Sequence, residues 1–255
     1  MHDGFNTMYL AINGSCVYRE AVRASANGLP DWLVPFSTIN ACLLERIANG
    51  LDVKESETLV DLACGAGGPG LWVAEHTGAS LMGIDFSDAA VKAAISLAEC
   101  RNMTSRAQFV VADATATGIP SGSVAGIMSV DALMFIDPER VAKEIARLLK
   151  PGGVVVATAA ESLVGPFMPT LVRDYRPTFE TAGFRIRIHE ELTGHEDQQL
   201  ALYRALCERD VALRAEIGEA AERLLEEART GLERAGPGTV RVRNILLVAE
   251  LLKRP

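Results

Sequence analysis

Between residues 58 and 159 the chain alternates short apolar runs with helix-like stretches, and this alternation constrains the fold more than any other feature. Strand-like runs are Thr58–Ala63, Leu81–Ile84, Phe109–Val111, Val124–Ser129 and Val154–Thr158. Helical patterns lie between them near 69–77, 87–101 and 138–149. Parallel strands need crossover connections, and helices supply them, so the pattern predicts an α/β fold with helices on both faces of a mostly parallel sheet. The sharpest punctuation comes first. Asp61-Leu62-Ala63-Cys64-Gly65-Ala66-Gly67-Gly68-Pro69-Gly70 follows an apolar run, and the second run ends on Asp85, twenty residues after Gly65. Strand, glycine turn, helix, strand and acid in that order predict a pocket for a nucleoside-bearing ligand. The glycines let the backbone approach the ligand, and the helix N-terminus offers unpaired N–H groups.

Outside this stretch, Leu43, Leu44 and Ile47 recur at helical spacing, and Phe184-Arg185-Ile186-Arg187-Ile188 alternates as a strand with one exposed face. Residues 196–234 read as one or two amphipathic helices broken by Gly236-Pro237-Gly238, and Asn244–Ala249 as a final strand. Ser87 and Asp137-Pro138 are expected helix starts, and Lys150-Pro151-Gly152-Gly153 an expected stop. The chain divides into an N-terminal helical lid (1–55), a ligand-binding core (56–160) and a C-terminal part (161–255). That last part completes the sheet and carries a helical cap inserted at about 196–235.

A net charge of −8 over 255 residues argues against a nucleic-acid binder, which needs a basic face. The N-terminus shows no basic-then-apolar leader, and Val154–Ala160, the longest apolar run, is about a third of a membrane span. Five cysteines without C-x-x-C spacing suggest reduced thiols, a cytoplasmic location and no metal. The stripe on 196–234 could also serve a homodimer.

Taken alone, Gly65-x-Gly67-x-x-Gly70 with Asp85 meets the dinucleotide fingerprint, which would make the chain an NAD-linked oxidoreductase. Asp61 inside the first strand's end, Asp113 ending the third strand, and the absence of a tyrosine with a lysine four residues on all point elsewhere. Three acids ending three successive strands, with Leu148-Leu149-Lys150-Pro151-Gly152-Gly153, resemble the class I S-adenosylmethionine-dependent methyltransferases. The likeness is to the small-molecule kind of secondary metabolism (antibiotic biosynthesis included) and of ubiquinone and menaquinone synthesis.

The resemblance implies a Rossmann-like seven-stranded sheet of order 3-2-1-4-5-7-6 with strand 7 antiparallel. It implies S-adenosylmethionine as cosubstrate, adenosylhomocysteine as product and a small-molecule acceptor. By position, Gly65 and Gly67 would let the chain pass under the methionine portion and ribose, Ala63 would belong to the same cofactor-binding set, and Asp61 would lie near the ammonium. Asp85 would accept the ribose hydroxyls, and Phe86 would cover the adenine. Asp113 would accept the adenine amino group, with the Ala114 N–H on a ring nitrogen. Ser129 and Val130 would line the methyl end. Singly, Asp85 could instead help cap the next helix, and Asp113 could be a turn residue.

Tyr9, Trp32, Met134 and Phe135 are the expected acceptor-lining residues. Apolar Met134 and Phe135 stand where many relatives carry histidines. That leaves Asp131, His189, His195 and the tyrosines Tyr9 and Tyr18 as candidate bases, if the acceptor must lose a proton before O-, N- or C-methylation. The competing reading is a protein that binds the cofactor without transferring its methyl, cyclase-like or regulatory.

Overall fold

A computed structural model describes residues 2–25, 28–164, 170–235 and 242–253. The sheet has seven strands: β1 (Thr58–Leu62), β2 (Ser80–Asp85), β3 (Ala107–Val111), β4 (Val124–Val130), β5 (Leu149–Ser162), β6 (Phe184–Glu191) and β7 (Val242–Leu251). Their order is β3-β2-β1-β4-β5-β7-β6. β1 to β5 pair in parallel, and β7 runs antiparallel to both β5 and β6. The order implied by the resemblance is the order found. Because the chain leaves β1 toward β2 and β3 and then returns to β4 on β1's other side, the strand order reverses between β1 and β4. Open α/β sheets bind ligands beyond the carboxyl ends of the strands at such a point.

The helices are α1 (His2–Asn13), α2 (Cys16–Ala24), α3 (Ala41–Leu51), α4 (Gly68–Thr77), α5 (Asp88–Cys100), α6 (Pro138–Leu148), α7 (Arg176–Thr181), α8 (His195–Glu208), α9 (Asp210–Ile217) and α10 (Glu219–Arg234). Their starts follow local chemistry. Ser87 Oγ accepts from the Ala90 N–H, and Asp137 Oδ1 from the Arg140 N–H with Pro138 at the first helical position. α6 stops at Leu148, since Lys150 precedes a proline and is pushed out of the helical region.

Two apolar clusters cover the sheet. Leu44, Ile47, Leu59, Leu71 and Val156 belong to one, and Val60, Ile127, Ile145, Phe179 and Leu247 to the other. A third cluster joins α1 and α2 to α8, α9 and α10 through Ile12, Tyr18, Leu206, Leu213 and Leu225. α1 and α2 pack with α8 to α10, while α3 buries Leu44 and Ile47 against the sheet. Glu216 on α9 ties that helix to the start of α2, accepting from the backbone N–H of Cys16 (2.8 Å) and Val17 (3.1 Å).

Three expectations change. The 196–234 stretch forms three helices rather than one or two; Gly236-Pro237-Gly238 lies outside the described residues. β5 runs on to Ser162 because β7 pairs with it from Val154 to Ser162. Its polar end, Glu161-Ser162, conceals that extension in the sequence. In β6 a register shift between Ile186 and Ile188 breaks the period-two pattern. Ile188 is left exposed, and the His189 side chain turns inward. Among the described residues, no helix is long and apolar enough to cross a membrane.

Candidate functional site

The carboxyl ends of β1 to β4 open onto two adjoining spaces. The smaller, about 130 Å³, lies against the glycine turn and is bounded by Arg19, Trp32, Ser37, Asp61 and Gly65. The larger, about 1000 Å³, extends from Asp85 and Asp113 past Asp131 to the cap helices. Ala63, Val130, Tyr9, Tyr18, Phe36 and Ser37 line both. The larger space is at the upper end of the ~300–1,000 Å³ usual for small-molecule sites.

The turn between β1 and α4 is built from left-handed residues: Ala63 (φ 60°), Gly65 (54°) and Gly67 (78°). α4 has no side-chain cap at its N-terminus, so the helix start is bare toward the smaller space. At Gly65 a Cβ would stand 2.6 Å from the Tyr9 hydroxyl, so α1 lays this ring over the turn. Gly67 serves packing instead: its Cβ would meet Ala94 and Phe109, both at 2.9 Å, and it lines neither space.

The acids differ in state. Asp85, 4% exposed, accepts the Gly65 N–H on Oδ2 (2.8 Å) and the Ser87 N–H on Oδ1 (2.9 Å). It thus fixes the glycine turn and the start of α5 while facing the larger space. Asp113 stands at the rim of that space and accepts the Thr115 N–H (2.7 Å) and hydroxyl (2.8 Å) on Oδ1. The Thr115 N–H, with help from Arg140, holds its carboxyl below the usual range. Asp61 is the unusual one. It is 2% exposed, and its Oδ2 has no hydrogen-bond partner. Burial and then the nearby Asp85 charge push its pKa up to about 7, against the Gly70 N–H, which lowers it.

Asp61 is not alone in this. Arg19 Nε and Ser37 Oγ are also buried without a partner, and all three residues line the same small space. Buried polar groups are nearly always paired, so a guanidinium N–H, a carboxyl oxygen and a hydroxyl without partners around one hollow could hold a ligand that both donates and accepts hydrogen bonds.

Residues 60–157 match the methyltransferase domain family. Residues 60–157 are by sequence a methyltransferase domain, 98 of the chain's 255 residues. Over 109 residues, 42% of this chain, it is 32% identical to the sterol 24-C-methyltransferase erg6 of Aspergillus fumigatus. Over 125 residues, 49% of this chain, it is 28% identical to the methyltransferase GfsG of Streptomyces halstedii. The matched segments span 29% and 45% of those relatives, so the chain covers less than half the length of either. In three dimensions it resembles the [4+2]-cyclase SpnF with a TM-score of 0.74 at 21% identity, over 84% of this chain and 81% of that one.

The remaining expected residues fall in different places, some within the matched segment and some outside it. Phe86, Ala114, Met134 and Phe135 line the larger space. Ser129 is fully buried and lines neither space; its Oγ donates to the Leu62 carbonyl (2.9 Å), fastening β4 to β1. Trp32 lines only the smaller space, under the Arg101 guanidinium at 4.4 Å. His189 lines neither. Its Nε2 is 2.8 Å from Glu161 Oε1 and 3.8 Å from Asp174, while Arg243 holds Glu161 Oε2. The ligating atoms of Glu161, Asp174 and His189 lie within 4.8 Å of one another. Cysteine spacing could not bring this group into view, and Arg243 gives it the character of an ion-pair network.

Asp131 and His195 do come together. Asp131 has φ 51°, a left-handed conformation rare outside glycine. Thr158 Oγ1 donates to its Oδ1 (2.6 Å), and the Thr38 N–H reaches its Oδ2 (3.3 Å). His195, 5% exposed at the first turn of α8, meets Thr38 Oγ1 through Nε2, which lies 3.9 Å from Asp131 Oδ2. Gln198 and Asn40 lock α8 in this position (2.8 Å). Burial, with the Glu227 charge, raises Tyr18, and burial with the Asp85 charge raises Tyr9. Both are therefore hydroxyl donors rather than bases; Tyr18 gives its proton to the Pro35 carbonyl (3.2 Å).

Sequence reasoning missed Arg19, Ser37, Thr38, Gln199, Tyr203 and Glu227. Tyr203 accepts from Gln199 (3.0 Å) and donates to Glu227 (3.2 Å) on the cavity's cap side. Charged residues on amphipathic helices read as solvated faces. The one available signal was Ser37-Thr38, a polar pair inside the otherwise apolar stretch 33–39.

Proposed function

We propose that this chain transfers the methyl group of S-adenosylmethionine to a small-molecule acceptor of the natural-product type held in the larger cavity. The observation that carries the reading is the trio of unpartnered buried atoms, Arg19 Nε, Ser37 Oγ and Asp61 Oδ2, around the space beside the glycine turn. An amino-acid end fits it. Its ammonium would be held by Asp61 and its carboxylate by Arg19 and Ser37, and every buried group would gain a partner. The nucleoside end would run toward Asp85, Phe86 and Asp113 in the larger space.

S-adenosylmethionine supplies an electrophilic methyl on a sulfonium, and the leaving sulfur is neutral. The protein's task is thus alignment and exclusion of water. Val130, which borders both spaces, marks where the methyl would pass from one ligand to the other.

Calorimetry with two ligands tests this. Adenosylhomocysteine carries the amino-acid end; 5′-methylthioadenosine lacks it. Arg19→Met should weaken adenosylhomocysteine roughly 10- to 100-fold, the scale of one charged hydrogen bond, and leave methylthioadenosine within twofold. Equal losses for both ligands, or none for either, would refute the assignment. The likeness to the solved cyclase favours a second reading, catalysis in the cavity without methyl transfer. Release of adenosylhomocysteine in turnover with adenosylmethionine excludes it.

A further inference from the structure

The larger cavity contains one group of hydrogen-bonding side chains at the end where the two spaces meet, and it is assembled from three distant parts of the chain. Asp131 follows Val130 at the tip of β4, Thr38 comes from the segment before α3, and His195 opens α8. Three features set this group apart. Asp131 holds a left-handed backbone, the kind of local strain that persists where the surrounding structure enforces it. Its carboxylate is aimed by Thr158 on one oxygen, leaving Oδ2 toward Thr38 and His195. The gap of 3.9 Å between Asp131 Oδ2 and His195 Nε2 is too wide for a hydrogen bond. It is narrow enough for one oxygen atom to bridge, hydrogen-bonded to both sides once His195 Nε2 exchanges its contact with the Thr38 hydroxyl for that oxygen.

A hydroxyl has the matching pattern. It has one proton to give to a carboxylate, which only accepts, and lone pairs to receive an imidazole N–H. A carbon nucleophile offers neither. Phe36, Met134, Phe135, Leu202 and Leu206 make part of the cavity wall apolar, with Gln199, Tyr203 and Glu227 on its cap side. The other candidate proton acceptors drop out: Tyr9 and Tyr18 are raised by burial, Cys64 likewise, and His189 lies elsewhere.

Resting on the methyl-transfer reading above, we infer that the acceptor is a largely apolar alcohol or phenol, with Asp131 as the general base and His195 as the donor that orients the reacting oxygen. The acceptor's O–H proton passes to Asp131 Oδ2 as the oxygen bonds the methyl carbon. The carbon–sulfur bond breaks with its electron pair to sulfur. The products are the methyl ether, neutral adenosylhomocysteine and a protonated Asp131, which returns its proton to water.

The test uses three probes on one skeleton, 2-naphthol, 2-naphthylamine and 2-vinylnaphthalene, each with adenosylmethionine and the full chain, reading adenosylhomocysteine and methylated product. 2-Methoxynaphthalene should form. Asp131→Asn should lower kcat on 2-naphthol by about 100-fold or more, the scale of general-base catalysis, with adenosylhomocysteine affinity within threefold. Asparagine tolerates the left-handed backbone, so this variant keeps the fold. His195→Ala should raise KM and lower kcat together.

Methylation of the vinyl or amine probe in preference to the naphthol overturns the inference. So does turnover of none of the three by protein that binds adenosylhomocysteine, or an Asp131→Asn variant with undiminished rate. Wild-type protein that fails to bind adenosylhomocysteine would instead refute the cofactor reading beneath it.

Discussion

Replacing Asp61 by asparagine should make the free protein more stable and its ligand binding worse. Burial and the neighbouring Asp85 raise the Asp61 pKa from 3.8 to about 7, a difference of about three units. At about 1.4 kcal/mol per unit, holding this carboxylate charged costs the folded state up to about 4 kcal/mol above pH 7. Asparagine removes the charge but leaves an amide short of a partner, a cost of about 1–3 kcal/mol.

The balance is a net gain of about 2 kcal/mol, or ~4–8 °C in Tm for a domain of this size. The pH dependence has a definite sign. The folded pKa lies above the unfolded one, so the penalty is absent below about pH 4, grows between pH 4 and 7, and is constant above. Thermal melts should therefore show the variant above wild type at pH 8. Below about pH 4 the advantage should vanish and give way to the amide's cost. Calorimetry at pH 8 should show adenosylhomocysteine bound roughly 10- to 100-fold more weakly by the variant. A variant that melts below wild type at pH 8, yet binds adenosylhomocysteine as well, would show that Asp61 is not a charge awaiting a cation.

Two further substitutions test the frame around the site. Arg147, then the Thr117 hydroxyl and N–H, hold the buried Glu144 carboxyl down to about pH 2 against the pull of burial, which raises it. Because its folded pKa is depressed, Glu144 stabilises the fold above about pH 4.5 and loses that contribution as the pH falls toward 2. Glu144→Gln should cost about 1–2 kcal/mol in urea unfolding at pH 7 and nothing near pH 2. Gly231→Ala would favour the α10 helix by about 1 kcal/mol on propensity alone. Its Cβ, however, would stand 2.2 Å from the Tyr203 ring, so the variant should be less stable and lose acceptor affinity through the Gln199–Tyr203–Glu227 set. A rise in Tm would show that the ring has room to move.

Much of the sheet was legible because its signals are local. Strand runs, caps at Ser87 and Asp137, and the glycine turn each depend on a few neighbouring residues, and all appear where the sequence puts them. The errors came where a partner strand decides. β5 reaches Ser162 because β7 pairs with its polar end, and the β6 register shift turns His189 inward and Ile188 out. Neither can be read from one strand's own pattern.

The sequence by itself determined that an acid ends each of three strand runs and that glycines turn the first one. Only the tertiary structure decided how those acids differ. Asp85 is satisfied by two backbone N–H groups, Asp113 closes its own turn, and Asp61 is buried facing a hollow it shares with Arg19 and Ser37 from the N-terminal region. It also decided that Asp131 meets His195, 64 residues on. A residue's type travels with the chain. Its charge state and its partners are set by burial and by segments far off in sequence, which only packing brings within reach.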